Sequence, residues 1–289
     1  MGRCKHRPTL IPALMLWFVF LPGAVSGSSL ERLLAPKAEP WERWQQYQAS
    51  DQRRIDHESW SGFLNAYVTR SADGVMRIAY SRVTDRDKAV LSDYIAGLSE
   101  LEISGHSRPE QFAYWVNLYN ALTVQVVLEH CPVMSIRDID ISPGLFADGP
   151  WRKPLITVQG ENVSLDDIEH RILRPGWGDP RIHYAVNCAS IGCPDLQPEA
   201  FTAANTERLL EQAARDYINH PRGVRVDRSG VTLSSIYNWF ASDFDQAGGV
   251  LDHIRRYATA DLKSRLEGIE TIDGYTYDWS LNDKPPQEN

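Results

Sequence analysis

The sequence predicts an α+β fold: a helix-rich single domain around one central buried helix, with a small sheet. Three observations carry this expectation. Residues 108–129 are apolar nearly all round, through Phe112, Trp115, Val116, Leu118, Tyr119, Leu122, Val126 and Val127, which is the composition of a helix buried on every side. Short β-type runs bounded by turn residues stand between the helical stretches. Helices and strands interleave without a regular βαβ period, which separates this class from the doubly wound α/β folds.

The first element reads as a targeting segment. Three basic residues (Arg3, Lys5, Arg7) precede the apolar run 10–25, and small residues follow around Ala24, Ser26 and Gly27, in the order of a secretory signal. Pro12 and Pro22 bracket a stretch shorter than the roughly 20 apolar residues that span a membrane. The expectation is a signal peptide over residues 1–26 and one domain over 27–289, exported to the periplasm or secreted, with no later membrane span. The chain has 30 Lys+Arg against 38 Asp+Glu, and loss of the signal's three bases leaves 27 against 38, a formal charge of −11. Such an acidic surface argues against nucleic acid and anionic lipid as partners. A small-molecule or peptide ligand is the partner expected.

Along the domain, residues 36–67 place Trp41, Trp44, Trp60, Phe63, Leu64 and Tyr67 at three- and four-residue spacings, a helical pattern. Ser71 to Gly74 reads as a turn, and a helix is expected over 85–98. Ser107, Pro109 and Glu110 resemble a capping box with proline in the first turn of the central helix, and Cys131-Pro132 ends that helix. Residues 155–158 and 162–163 read as short strands about Gly160. Ser164 to Asp167 opens a further helix, with Pro175-Gly176 as its stop. Residues 181–187 (RIHYAVN) read as a buried strand, 205–219 as an amphipathic helix, 224–226 and 231–233 as a hairpin, and 275–281 as a late extended segment.

Candidate chemistry gathers near the RIHYAVN run. Asn117 and Asn120 share one face of the central helix, where each amide either ties loops to the core or orients a catalytic base or a substrate carbonyl. His183 stands on the expected strand on the same side as Asn187, with Arg181 nearby, and Cys188 follows five residues later. One reading makes Cys188 a thiol nucleophile with His183 as base. Another closes Cys188 and Cys193 into a structural disulfide, which an oxidising compartment favours and which contributes roughly 2 kcal/mol in the chain-entropy model. A redox-active pair and metal ligation complete the alternatives, although the spacing matches no zinc or thioredoxin pattern. No cofactor and no metal are expected. Cys131, at a helix end, reads as a buried thiol.

Several segments together resemble one family. The run Glu110 to Ala121, the runs Val163 to His170 and Leu173-Arg174, then Arg181 to Cys188 with Cys193-Pro194, and a later Tyr237 to Phe240 with Asp243-Phe244, are similar to the family catalogued as domain of unknown function 547, over roughly residues 100–244. The resemblance implies no established activity and no catalytic residues. A weaker likeness to papain-like and transglutaminase-like enzymes implies a thiol on the central helix, a His on a following strand and a later acid such as Asp278. Asn117 stands where that comparison puts the thiol. The reading that follows is a thiol-dependent hydrolase or acyl transferase of the cell envelope, with Cys188, His183 and Asn117 as catalytic residues and Asn120, Asn187 and Arg181 as binding residues. A non-catalytic ligand- or peptide-binding module and a thiol-disulfide redox protein are the alternatives.

The targeting segment has a direct test. Mass spectrometry of the exported protein is expected to find its N-terminus between about Gly23 and Leu30, as small residues before a signal cut require; retention of Met1 would refute it.

Overall fold

A computed structural model describes residues 27–144 and 148–284; the expected targeting segment therefore lies outside the described residues. The architecture is α+β. It begins with helices α1 (Gly27–Leu34), α2 (Glu58–Tyr67), α3 (Asp85–Ser99) and α4 (Arg108–His130). Their partners are the hairpins β1–β2 (Val68–Arg70, Met76–Ile78) and β3–β4 (Ile156–Val158, Glu161–Val163). In place of one small sheet the described residues form three, the third having order β5-β6-β7 (Val224–Asp227, Gly230–Ser234, Gly274–Thr276), with β7 parallel to β6.

Helix α4 is the expected centre. Side chains on every side of it are buried, from Glu110 to Val127, because no face of this sequence is polar enough to meet water. It belongs to a core formed with α2, α3 and the β3–β4 region, while a second cluster gathers α7 (Thr206–Ile218), β5, β6 and the helices α8 (Ile236–Trp239), α9 (Val250–Tyr257) and α10 (Ala260–Arg265). His183 and Tyr184 stand where the clusters meet, in the short helix α6 (Ile182–Ala185).

That helix corrects the strand expected over 181–187. A short apolar run satisfies both periodicities, and a start signal just before it decides between them. Asp179 accepts the Arg181 N–H at 2.8 Å, the Ile182 N–H bonds Asp179 O at 3.1 Å, and Pro180 fits a first helical turn. The chain extends only at Val186 and Asn187, and it pairs there with a side chain. Asn120 on α4 accepts the Asn187 N–H at 2.8 Å and donates to Ala185 O at 2.9 Å. Three residues earlier, Asn117 does the same for Phe201, donating to its carbonyl at 2.7 Å and accepting its N–H at 3.0 Å. Each amide acts as one rung of a β ladder, so buried peptide groups that reach no sheet are still satisfied.

Other expectations change for similar reasons. The segment before α2 is helical only at Glu42–Gln45, because tertiary bonds replace helical ones: the Glu39 and Trp41 N–H groups donate to His170 O and Arg171 O, and Trp44 packs edge-on to Trp115. Ser107 forms no side-chain cap, since Glu110 instead accepts the Ile55 N–H at 3.1 Å. A reciprocal cap does form between Ser164 and Asp167. The helix it opens is a π-helix, Asp167–Leu173, continued by α5 (Arg174–Trp177) and ended by left-handed Gly178 rather than by Pro175-Gly176. Cys131 caps α4 through its N–H and is half-buried rather than buried. Among the described residues no helix is long and apolar enough to cross a membrane.

Replacing either amide of α4 by an isosteric apolar group leaves a buried N–H and C=O unpaired. Asn117→Leu and Asn120→Leu are each expected to lower stability by about 1–3 kcal/mol, read as a shift of the urea midpoint at unchanged slope; an unchanged midpoint refutes the clamp role.

Candidate functional site

The site is built on the loop from Cys188 to Cys193. Asn187 holds its two ends together, accepting the Ala189 N–H at 2.9 Å and donating to Pro194 O at 2.7 Å. Ala189 takes a left-handed conformation at φ 59°, which folds the loop back on itself. The C-terminal segment then crosses it, with the Ile191 and Gly192 N–H groups donating to Ser280 O and Asp278 O. Gly192 is required there, because a Cβ would stand 2.8 Å from the Asp278 backbone.

The fold brings the two sulfurs together, Sγ to Sγ 2.7 Å. Cys188 Sγ also lies 3.1 Å from the Tyr277 hydroxyl and 3.2 Å from Ser190 Oγ, and it accepts the Ser190 N–H. Burial pushes the Cys188 thiol up, but the bonds from Cys193, Ser190 and Tyr277 outweigh it and hold the group down at about 7. Burial and the neighbouring Cys188 sulfur drive Cys193 the other way, well above the ordinary thiol. In the reduced pair the two thiols are thus pushed in opposite directions, Cys188 down and Cys193 up.

His183 shares the cavity but is directed elsewhere. Its Nε2 donates to Asp243 at 2.8 Å, and Asp243 takes both Arg174 Nε (2.6 Å) and Nη2 (3.0 Å). Burial raises the Asp243 carboxyl, and the His183 and Arg174 donors overcome that to hold it well below the carboxylate range. The imidazole stacks on Phe240 at 4.5 Å, and burial pushes its pKa down against the Asp243 hydrogen bond. Its other nitrogen, Nδ1, faces Glu169 Oε1 at 3.8 Å. His170, one residue on in the π-helix, accepts from Arg174 at 3.0 Å and is pushed well down by burial and that cation. Glu169 itself is raised to about 8, by burial first; Arg174 opposes this, the charges of Cys188 and Asp166 add to it, and a Tyr119 hydrogen bond opposes it. A π-turn at a functional site is a recurrent feature; here it puts Glu169 and His170 on the cavity.

The cavity has a volume of about 590 Å³ and reaches both thiols, Glu169, His170 and His183. Trp151, Trp239, Tyr277 and Trp279 form one wall through edge-on, tilted and stacked ring contacts of 4.6–5.8 Å. Arg137, Asp148 and Arg152 also line it, as do Glu31, Leu34, Ala35 and Pro36, where Glu31 accepts from Trp239 Nε1 at 3.2 Å.

Of the residues expected from sequence, Cys188, Cys193 and His183 meet at this cavity. Asn117 and Asn120 do not line it, both amides being spent on backbone. Asn187 acts through the loop, and Arg181 is engaged by Asp179 and Glu207 at 2.7 and 2.6 Å. Asp243, not Asp278, is the carboxylate of His183; Asp278 turns back to the Ser280 N–H. Sequence reasoning missed Glu169, Arg174, Asp243 and Tyr277 as site residues, although the first three lie within the quoted motifs, where charge in otherwise apolar runs was the available signal. Among the described residues no group of three or more His, Cys, Asp and Glu is arranged to hold a metal ion.

Fold and site together define an α+β protein with an asymmetric thiol pair at an aromatic-walled cavity. Residues 103–218 match the family described as Protein of unknown function, DUF547. Both thiols, Glu169, Arg174 and His183 fall within the match, whereas Asp243 and Tyr277 lie beyond it. No curated protein and no solved structure matches the chain.

Alkylation of the reduced protein by iodoacetamide is expected to rise with pH at Cys188 with a midpoint near 7, since the thiolate is the reactive form. Tyr277→Phe removes a donor to the thiolate and should move that midpoint upward. A wild-type midpoint in the ordinary thiol range, near 8.5, would show that the donors do not act on Cys188.

Proposed function

We propose that this protein carries out thiol-disulfide exchange, with Cys188 as the attacking thiolate and Cys193 as the resolving thiol. The observation that carries the reading is the pair itself: two sulfurs in contact, with hydrogen-bonding neighbours that pull the Cys188 thiol down and burial that pushes Cys193 up. The expected export signal supports it, because disulfides form and persist outside the cytosol.

A hydrolase or acyl transferase at the same thiol is less well supported, for two reasons. Among the described residues the hydrogen-bonding neighbours of Cys188 Sγ are Cys193, Ser190 and Tyr277, so no histidine serves it as base. Acyl transfer also needs donors for an oxyanion, and every N–H from Cys188 to Cys193 is already used. Cys188 donates to Cys193 Sγ, Ala189 to Asn187, Ser190 to Cys188 Sγ, Ile191 to Ser280, Gly192 to Asp278 and Cys193 to Ser190. Two of these donors bond sulfur and the other four bond oxygens of the protein itself, which leaves none of them for a substrate oxyanion. A purely binding role leaves the ionised thiol without a purpose.

Exchange is expected to be directly visible. Reduced protein mixed anaerobically with bis(2-hydroxyethyl) disulfide should end as the internal Cys188–Cys193 disulfide, and Cys193→Ser should stop at a mixed disulfide on Cys188, both read by peptide mass. Failure of the wild type to oxidise, together with turnover of a small thioester, would replace exchange by acyl transfer.

A further inference from the structure

We propose that Glu169 is the proton-transfer residue of the thiol pair, protonating the sulfur that leaves in the first exchange step and accepting the Cys193 proton in the second. The inference rests on the exchange reading above. Its starting point is a carboxyl on the cavity, 12% exposed, whose ion-pair contacts are the two histidines His170 and His183 at 3.9 and 3.8 Å rather than an arginine or lysine. Arg174, the cation whose charge acts on it, gives Nε and Nη2 to Asp243 and Nη1 to His170 and Pro36 O. Glu169 is left facing Tyr119 from α4, Asp166 and His170 from its own stretch of chain, Arg174 from α5, His183 from α6 and Cys188 from the loop. In that company burial outweighs Arg174, and the carboxyl keeps its proton up to about pH 8.

The other acid-base groups on the cavity are less suited. His183 has Nε2 tied to Asp243, and its remaining nitrogen faces Glu169 rather than sulfur. His170 is held by Arg174. Asp166 is raised to about 6 by burial against the pull of Arg152, so at neutral pH it is largely ionised and a poor donor. Glu169 reaches the same cavity as both sulfurs, and the Cys188 charge is felt at its carboxyl.

The proton balance closes. The Cys188 thiolate attacks one sulfur of a disulfide R–S–S–R′, forming Cys188–S–S–R and breaking the S–S bond, and R′–S⁻ takes the Glu169 proton to leave as R′–SH. The resulting carboxylate then removes the proton of Cys193. The Cys193 thiolate attacks Cys188 Sγ, the internal disulfide forms, R–S⁻ departs, and Glu169 is again protonated. The protein pair is oxidised, the substrate disulfide is reduced, and no further co-reactant is needed. A group that donates and then accepts works best with a pKa near the operating pH.

The test follows the two steps separately in the full-length mature protein, using an alkyl disulfide, bis(2-hydroxyethyl) disulfide, and an aryl disulfide, 4,4′-dithiodipyridine, whose leaving thiol needs no proton. Glu169→Gln is expected to slow resolution by Cys193 roughly ten-fold or more with the alkyl disulfide, so that the mixed disulfide on Cys188 accumulates with that reagent. It should slow the first step with the alkyl disulfide only. Glu169→Asp, which restores a carboxyl, should recover part of both rates, an outcome that a packing role does not produce. Should the variants fail to fold, the wild type alone decides: its first-step rate should fall above about pH 8 with the alkyl reagent and stay level with the aryl one. Wild type that exchanges, with Glu169→Gln resolving within two-fold of it or with identical pH profiles for both reagents, overturns the role of Glu169 alone. Wild type that forms no internal disulfide overturns the exchange reading and this inference with it.

Discussion

The structure depends on two side-chain amides in the middle of its most buried helix. Asn117 and Asn120 each meet a peptide group of a distant segment with a matched donor and acceptor, and each such pair left unmade would cost a few kcal/mol in so dry a place. Hydrophobic packing alone is non-directional and would let the segments at Ala185–Asn187 and Phe201 slide along α4. The amides fix their register. Because Asn187 then sets both ends of the cysteine loop, the position of the thiols is traceable to a residue that touches neither of them.

Around that anchor the site separates two electrostatic regimes. On one side Arg174, Asp243 and His183 form a chain in which every charge has its counter-charge within hydrogen-bond distance. On the other side the Cys188 sulfur is stabilised by neutral donors from Cys193, Ser190 and Tyr277, with no cation bonded to it. Glu169 stands between the two and belongs fully to neither, which is why burial dominates its ionisation. A buried acid in this state is normally expensive, and its retention is consistent with use in proton transfer.

The loop's own backbone bears on the proposed exchange, because its N–H groups are spent within the protein. A backbone that spends each N–H internally or on the crossing C-terminal segment is rigid and offers a substrate no hydrogen-bond donors. The same crossing brings Tyr277 to the thiolate and Trp279 to the cavity wall, so residues near the chain's end complete a site begun in the family segment. The aromatic wall of Trp151, Trp239, Tyr277 and Trp279 gives the cavity a large apolar face beside a polar floor, the usual division of labour in a ligand site.

What the sequence by itself determined is what burial along the chain encodes. The apolar circumference of α4, the amphipathic stripe of α7, the β5–β6 hairpin about its Asp-Gly turn region and the short strands about Gly160 all follow from periodicity and turn chemistry, which are local properties. The proximity of Cys188 and Cys193 follows from their short spacing. Only the tertiary structure decided the rest. RIHYAVN fits strand and helix alike until Asp179 and Pro180 start a helical turn and Asn120 replaces the missing neighbouring strand. Whether His183 serves the thiol or Asp243, and whether Glu169 keeps its proton, depends on which distant groups packing brings within a few ångströms. Desolvation and pairing are sums over neighbours from the whole chain, and no stretch of sequence carries that sum locally.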